Sequence, residues 1–477
     1  MNFAFDLKFI LPEIILILAA IATLIFGLLI KNKRVIAFFA LASLIITLCF
    51  LVKAPILTTS LFSGMLTNDP FAVFFKIISV GIALIVLLIS FDYKEISSNY
   101  RAEFYSLILL STTAMMFLAG AANLLMIYLG IEFLSLISYI IAAYWRGNLK
   151  SSESGLKYFF IGTAASITML YGISLLYGLS GSLDLAQINS VLAAATVNPM
   201  AISIIILTIV IGLGFKIAMV PVHFWCPDVY EGAPTPVTAF FSVGPKIAGF
   251  AVLMRFLYIG SAFFYSHWAH LLGILSIITM IVGNLTALNQ TNIKRLLAYS
   301  SIAHAGYALI AVVIGKQIGQ VSLLVYLLTY SIMNLGAFAA VIAISNKIKS
   351  DEIKDYAGLS VNSPYLAALL TLFLLSLAGI PPLAGFIGKF YIFSAAIKEG
   401  FIYLAIAAVI NSVIAAYYYF VVIKTMYLDP PQISIEISSS PALNLALIFA
   451  LVLTLIIGIY PQPILDFVSQ ASSLVLP

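Results

Sequence analysis

The chain has 477 residues, of which 63% are hydrophobic and only 9% are charged, with a formal net charge of +5. Water-soluble globular proteins carry about a quarter charged residues, so this composition excludes that class and indicates a polytopic membrane protein. The two cysteines, Cys49 and Cys226, are far apart and form no C-x-x-C pattern, so the sequence gives no indication of an iron–sulfur or zinc site.

Apolar segments long enough to cross about 30 Å of hydrocarbon recur along the whole chain and predict about fourteen membrane helices. The start of the chain lacks the basic residues and cleavage site of a signal peptide, so we expect the first helix to be retained. No polar stretch is long enough to bury a core of its own, which predicts a single all-α membrane domain. The predicted spans are approximately 10–30, 35–52, 70–91, 104–121, 122–144, 156–180, 201–224, 234–258, 270–288, 293–314, 320–345, 364–395, 401–427 and 441–461.

Lysines and arginines fall mainly on alternate loops, as expected when cytoplasmic loops carry the excess of positive charge. The pattern predicts an even number of spans with both termini on the outer face. It also accounts for the net charge without a nucleic-acid partner. Thirteen basic residues share the predicted inner side, and four lie on the outer side: Lys31, Lys33, Arg34, Lys94, Arg101, Arg146, Lys150, Lys294, Arg295, Lys347, Lys349, Lys354 and Lys424, against Lys8, Lys53, Lys316 and Lys398.

Two predicted spans contain prolines near mid-membrane, Pro221 in the seventh and the pair Pro381 and Pro382 in the twelfth. Proline removes a backbone donor and clashes with the preceding turn, so both spans are predicted to be broken. Each break has a lysine close by, Lys216 and Lys389, and the two breaks lie five spans apart. This arrangement indicates an internal repeat of about five helices with ion sites at the breaks. The alternative is that both prolines are ordinary, because membrane helices tolerate proline.

Charged residues within the predicted spans are few, and each costs about 2.5–3.5 kcal/mol at the centre of the bilayer. Lys76 and Arg255 lie near span ends, where we expect their long side chains to reach the interface. The basic residues within spans are Lys76, Lys157, Lys216, Lys246, Arg255 and Lys389, and the acid at mid-span is Glu132.

Glu132, Lys216, Lys246 and Lys389 lie too deep to reach the interface, which favours a function for them over a static salt bridge that only fixes helix packing. Lys157 lies just inside the sixth span, and we expect an ordinary interfacial lysine there unless it pairs with Glu132.

Buried lysines are suited to proton transfer because loss of hydration favours release of the ammonium proton. At about 10 Å and an effective dielectric constant of about 20, one unit charge changes the energy of another by about 1.7 kcal/mol. A carboxylate that approaches or withdraws can therefore redistribute protons along a row of lysines. His304, within the tenth span, is a candidate relay, and a hydrogen-bonded packing role is an equal alternative.

Three segments carry a resemblance to a known family: GFKIAMVPVHFWCPDVYEGAPTPVTAFFSVGPKIAGF, NIKRLLAYSSIAHAGY and LAGIPPLAGFIGKF. They resemble the antiporter-type membrane subunits of respiratory complex I, the proton-pumping NADH:quinone oxidoreductase, over roughly residues 100–400. The form GAPTPVTAFFSVGPK is closest to the N-type subunit. The resemblance implies fourteen helices with two inverted five-helix repeats and two broken helices.

The resemblance also implies roles for individual residues. Glu132 would be the carboxylate of the fifth helix and Lys157 its partner on the sixth. Lys216 would be the key lysine of the broken seventh helix, Lys246 the central relay of the eighth and Lys389 the terminal lysine of the broken twelfth. These are the deep charges found from the residues alone, except that only the resemblance promotes Lys157.

The same resemblance implies the organisation and surroundings of the chain. Peripheral helices would occupy 1–103, the first repeat about 104–258, the second about 270–427 and a last helix 441–461. The chain would hold no cofactor, because flavin, iron–sulfur clusters, NADH and quinone belong to other subunits. Its partners would be the other membrane-arm subunits, the lipid bilayer and protons, in a bacterial cytoplasmic (inner) membrane.

Two alternatives stay open on the sequence. A stand-alone secondary cation/proton antiporter would exchange ions without partners, although the motif form after GAPT argues against it. A purely structural subunit would use its buried charges only to lock helices together, and removing one of them would then disrupt assembly.

Overall fold

A computed structural model describes residues 3–30, 32–53, 60–93, 96, 100–145, 147–194, 198–431 and 439–472. Within them, thirteen helices are long and apolar enough to cross a membrane. A further span is split into two helices of 15 residues each, Pro364–Ala378 and Ala384–Lys398. The predicted fold class, an all-α membrane protein of about fourteen spans, is confirmed. Three of the residues used to predict topology, Lys31, Lys94 and Arg146, lie outside the described residues.

The helices, numbered in chain order, begin and end as follows. They are α1 (Phe3–Phe9), α2 (Leu11–Leu29), α3 (Lys33–Val52), α4 (Pro70–Ser90), α5 (Arg101–Ala119), α6 (Leu124–Ala142), α7 (Leu149–Ser180), α8 (Leu185–Ala194), α9 (Pro199–Ile217), α10 (Trp225–Gly232), α11 (Thr235–Arg255), α12 (Tyr265–Ala287), α13 (Ile293–Ile314), α14 (Gln317–Ile348), α15 (Leu359–Asn362), α16 (Pro364–Ala378), α17 (Ala384–Lys398), α18 (Ile402–Leu428), α19 (Pro441–Ile459) and α20 (Gln462–Ala471). A short π-helix, Phe256–Gly260, continues α11.

Several helices begin with a capping side chain followed by proline. The Asp69 side chain accepts a hydrogen bond from the Ala72 N–H at 2.7 Å at the start of α4, where Pro70 occupies the first helical position. Asn198 and Pro199 play the same parts for α9. A cap satisfies a backbone donor that the helix itself cannot, and proline fits the first turn because it has no N–H to leave unpaired.

The helices differ in how deeply they lie in the bundle. The span that contains α11 is 100% buried, and α13 and α14 are each 94% buried, whereas the spans of α2, α18 and α19 are each 33% buried. The central helices therefore place their side chains away from lipid on all sides. Charges carried by α11 and α13 cannot be exposed to the bilayer.

Both breaks predicted from the prolines are present. The α9 helix ends at Ile217, four residues before Pro221, and α16 ends at Ala378, before Pro381 and Pro382. Helices of 32 residues, α7 and α14, lie before the two breaks in corresponding positions. The broken helices and the paired order of elements agree with the predicted repeats, while the exact repeat boundaries stay a prediction.

The expectation that Lys76 and Arg255 reach the interface is wrong. Their side chains are 3% and 1% exposed. Lys76 Nζ lies 2.7 Å from Glu13 Oε1, and Arg255 binds Asp69 at 2.8 Å. Both bases are ion-paired inside the bundle because α2 and the N-terminus of α4 bring carboxylates to them.

A chain of contacts joins these two ion pairs. Lys76 Nζ also donates to Asn68 Oδ1 at 2.8 Å, and Asn68 directly precedes Asp69. Arg255 Nε donates to the Ala119 carbonyl at 2.7 Å. The peripheral helix α2 is thus fastened to α4, and α11 is fastened to both α4 and α5.

Candidate functional site

Lys216 lies on the last turn of α9, beside the break. The helix ends at the next residue, Ile217, and Ala218 then adopts a left-handed backbone conformation with φ of 58°. The Lys216 side chain is 0% exposed. Among the described residues, its Nζ has no hydrogen-bond partner. A buried ammonium without a partner is rare and costly, which marks Lys216 as a candidate functional group.

Aromatic rings form the immediate surroundings of this ammonium. Nζ lies 5.9 Å from the ring centre of Tyr139, 5.6 Å from that of Tyr158 and 5.4 Å from that of Phe215. Such rings attract a cation through their quadrupole without accepting a full hydrogen bond. They can hold Lys216 in its charged form while leaving its protons free to transfer.

Glu132, on α6, is half-buried and supplies the negative charge that acts on Lys216. Its carboxylate accepts a hydrogen bond from the Ser166 hydroxyl on α7. The attraction between carboxylate and ammonium is long-range, so a change in the charge or position of Glu132 changes the energy of the Lys216 proton.

The predicted pairing of Glu132 with Lys157 is wrong for this structure. Glu132 meets α7 at Ser166, and Lys157 lies nine residues earlier on that helix, about 13.5 Å away at 1.5 Å per residue. The Lys157 side chain is 41% exposed and binds Glu153 at 2.7 Å and Asp228 at 2.6 Å. It occupies the interfacial position that the sequence analysis held open.

Lys246 lies on α11 and is 2% exposed. Its Nζ donates to the Ser301 carbonyl of α13 at 2.9 Å and also contacts the Ser301 hydroxyl. Gly249, three residues further along α11, brings α9 close, since a Cβ there would lie 3.2 Å from the Cβ of Lys216. The Lys216 backbone therefore packs against the helix that carries Lys246.

His304 lies three residues after Ser301 on α13 and is 2% exposed. Its Nδ1 lies 2.6 Å from the Tyr326 hydroxyl, and its Nε2 lies 3.4 Å from the Tyr419 hydroxyl. Tyr419 in turn hydrogen-bonds Ser300. Both ring nitrogens thus face hydroxyl groups, a geometry that serves a packing role and a proton relay equally well.

Lys389 lies on α17, just after the second break, and is 4% exposed. Its Nζ donates to the Ala378 carbonyl at 2.8 Å and to the Ser412 hydroxyl at 2.9 Å. Gly379, with φ of +91°, ends α16, and the Lys389 side chain lies over it. The Ala378 carbonyl has no partner within α16 because the helix ends there, and it accepts a hydrogen bond from the ammonium instead.

The α13 helix connects the central lysine to the terminal one. Ser301 contacts Lys246, and the ring of Tyr307 lies 5.1 Å from Lys389 Nζ. His304 lies between them and experiences the charges of both lysines. The row Glu132, Lys216, Lys246, His304 and Lys389 is therefore assembled across α6, α9, α11, α13 and α17.

Sequence reasoning identified His304 but missed the other polar side chains on its face of α13. Ser300 and Ser301 lie four and three residues before His304, and Tyr307 lies three residues after it, which places them near the same side of the helix. That spacing within an apolar span was a usable signal. Sequence reasoning also missed Asp228, which follows the first break closely.

Asp228 and Glu231, on α10 in the connection after the seventh span, hold a cluster of ion pairs at the end of the bundle. Arg295 Nη1 binds Asp228 Oδ1 and Glu231 Oε2, both at 2.8 Å. Partial burial acts to raise the pKa of Asp228, but hydrogen bonds from Lys157 and Arg295 outweigh it and leave that pKa below its ordinary value. The Glu231 pKa is lowered in the same way, against burial, by Lys150 and Arg295.

The chain is similar to known proteins over most of its length. The family described as "NADH:quinone oxidoreductase/Mrp antiporter, TM" matches residues 121–415. The chain is 42% identical over 476 residues to NADH-quinone oxidoreductase subunit N of Trichlorobacter lovleyi, with 98% of each chain covered.

Solved structures give the same result. A chain of respiratory complex I from Thermus thermophilus is 32% identical, with a TM-score of 0.81 and with 95% of this chain and 98% of that chain covered. A chain of the Mrp complex from Dietzia sp. has a TM-score of 0.82 over 100% of this chain and 98% of that chain, but at 22% identity this likeness shows the fold alone. The chain thus belongs to the NADH:quinone oxidoreductase/Mrp antiporter family and, within it, to the family of NADH-quinone oxidoreductase subunit N.

Proposed function

We propose that this chain is a proton-translocating membrane-arm subunit of an NADH:quinone oxidoreductase. It relays protons through buried Lys and Glu residues in response to redox-driven changes in other subunits. The observation that carries the proposal is Lys216, a fully buried ammonium without a hydrogen-bond partner among the described residues, beside a helix break and near Glu132. A purely structural charge would be paired, as Lys76 and Arg255 are.

The relay begins at the Glu132–Lys216 pair. While Glu132 is charged and close, Lys216 keeps its proton. When Glu132 is neutralised or drawn away, desolvation favours the neutral amine, and the proton passes along the row toward Lys246. The amine of Lys246 accepts that proton and is held by Ser301 while charged.

The second half of the relay runs from Lys246 to Lys389. The hydroxyl and imidazole groups around His304 bridge the interval, and each can accept a proton on one side and donate one on the other. Lys389 receives the proton at the end of α16, where the Ala378 carbonyl and Ser412 stabilise the ammonium. One proton arrives at each lysine for each one that leaves, so the chain ends the cycle unchanged.

The proposal assigns the remaining parts to the assembly. Flavin, iron–sulfur clusters, NADH and quinone are bound by other subunits, and this chain contacts other membrane-arm subunits and lipid. We place it in a bacterial cytoplasmic membrane with both termini on the outer face. The repeats at about 104–258 and 270–427 would each supply one broken helix to the row.

Isolation of the tagged protein from native membranes in mild detergent tests the assignment to a complex. We expect flavin and iron–sulfur absorbance and quinone reductase activity to co-elute with it. A colourless lone protein, under conditions that preserve other membrane complexes, would contradict the proposal. Cation/proton exchange by that lone protein in liposomes would then establish the antiporter alternative.

Ser301→Ala is expected to lower coupled turnover by about fivefold, because Lys246 keeps the Ser301 carbonyl but loses one acceptor of a charge-assisted hydrogen bond. NADH-driven quinone reduction in native membranes measures the change. Ser79→Ala is the matched control, since Ser79 is equally buried and, among the described residues, its hydroxyl hydrogen-bonds the Phe75 carbonyl of its own helix and no lysine. Equal turnover in the two variants would count against a role for Ser301.

A further inference from the structure

Four charged side chains fasten α10 to its two neighbours, and we name them the α10 clasp: Lys157 on α7, Asp228 and Glu231 on α10, and Arg295 on α13. Asp228 binds with both oxygens, Oδ2 to Lys157 at 2.6 Å and Oδ1 to Arg295 at 2.8 Å. Glu231 also pairs with both helices, but its partner on α7 is Lys150, which is 71% exposed, so that ion pair is the weaker one. Asp228 therefore makes the stronger link between α7, α10 and α13.

The clasp borders a cavity of about 230 Å³ that Lys150 and Glu153 also line. The cavity lies on the side of the bundle where the basic loop residues gather, which the charge pattern predicts to be the inner face. Lys157, Asp228 and Arg295 are 41%, 34% and 27% exposed. Ion pairs this close to solvent are weak and can open and reform.

The α10 helix also forms one wall of the Lys216 site. Trp225, its first residue, donates its indole N–H to the Phe215 carbonyl at 3.1 Å. The indole stacks on Tyr158 with ring centres 4.3 Å apart, and the Tyr158 ring is one of those around Lys216. Movement of α10 away from α7 would thus remove the indole and uncover Lys216 from the side of the cavity.

We propose that Asp228 is a positioning residue for the proton relay, which holds α10 closed between the inner-face cavity and Lys216. When the clasp opens, a chain of water molecules from the cavity reaches Lys216 and conducts to its amine a proton taken up from the solution at the inner face. This proposal rests on the proposed function, but the closure itself is a physical property that can be measured separately. The lowered pKa of Asp228 keeps its carboxylate charged at neutral pH, so the clasp opens by separation of the ion pairs and not by protonation.

The chain contains its own reporter of this closure. Cys226 lies on α10, two residues before Asp228, and is 0% exposed. The only other cysteine of the chain is Cys49, which is exposed on α3. In a Cys49→Ser background, the rate at which N-ethylmaleimide modifies Cys226 in the intact complex, read by mass spectrometry, measures how often α10 opens.

We expect Asp228→Asn to accelerate the modification of Cys226 by about tenfold, since charge-assisted hydrogen bonds are stronger than neutral ones. Asp228→Glu should restore most of the closure. Glu153→Gln is the matched control, because it removes a carboxylate from the same cavity and the same lysine but not from α10. Equal modification rates for Asp228→Asn and the parent would overturn the proposal.

Two further outcomes separate this proposal from the proposed function. If Asp228→Asn does not assemble, Lys157→Gln removes only one arm of the clasp and should still accelerate modification, by a smaller factor. Asp228→Asn should also lower the maximal coupled turnover without raising KM for NADH or quinone. Faster modification with unchanged turnover would overturn the positioning role, whereas normal turnover in a Lys216 variant would contradict the relay itself.

Discussion

Lys216→Ala is expected to lower the coupled quinone reductase turnover by at least about tenfold, because a positioned proton-transfer group typically contributes ~100-fold or more to its step. The complex should nevertheless assemble. Lys216 Nζ has no hydrogen-bond partner among the described residues, so its removal leaves no orphaned group and relieves the cost of a buried charge. Activity and stability should thus change in opposite directions.

Turnover in native membranes and the melting temperature of the purified complex measure the two quantities. Lys424→Ala is the matched control, because Lys424 is an exposed lysine near the end of α18. We expect it to change neither quantity. Loss of assembly in Lys216→Ala would support a structural role for the lysine and would contradict its place in a relay.

Lys76→Met, unlike Lys216→Ala, is expected to destabilise the protein. It leaves the Glu13 carboxylate buried without its cation, and breaking one partner of a buried pair costs about 3–5 kcal/mol. Glu13 Oε2 already has no hydrogen-bond partner among the described residues, so little else can compensate the charge. We expect lower yield of assembled complex and a lower melting temperature.

The double variant Glu13→Leu with Lys76→Met is the decisive control. Replacing a buried ion pair by apolar residues of similar volume is often neutral or stabilising. We therefore expect the double variant to recover assembly and activity together. Recovery of assembly without activity would show that Glu13 and Lys76 take part in proton transfer, contrary to the structural role assigned to them here.

The breaks and the deep charges were predictable because they depend on local chemistry. Proline disfavours a continuing helix, although α11 continues through Pro245, and a lysine in an apolar span is conspicuous in any fold. Lys216, Lys246 and Lys389 were thus identified before their neighbours were known. Their partners, such as Ser301 and the Ala378 carbonyl, depend on how helices pack and could not be read from spacing.

The errors concern pairs that are distant in sequence. Arg255 binds Asp69 across 186 residues. Because Arg255 lies near the end of its span, we expected its side chain to reach the interface. Its guanidinium instead forms an ion pair with the Asp69 carboxylate inside the bundle. The pairing of Lys157 with Glu132 was implied only by the family resemblance. The position along the helix decides which residues meet, and it is Ser166 that meets Glu132.

The central claim is that the buried lysines act as one relay, and a double-mutant cycle of Lys216→Ala and Lys246→Ala tests it most directly. The measured quantity is the initial rate of NADH-driven proton uptake by liposomes that contain the intact complex. Residues that act as a unit are strongly non-additive. The relay predicts that the double variant is no slower than the slower single variant, and a double variant slowed by the product of the two single effects would contradict it.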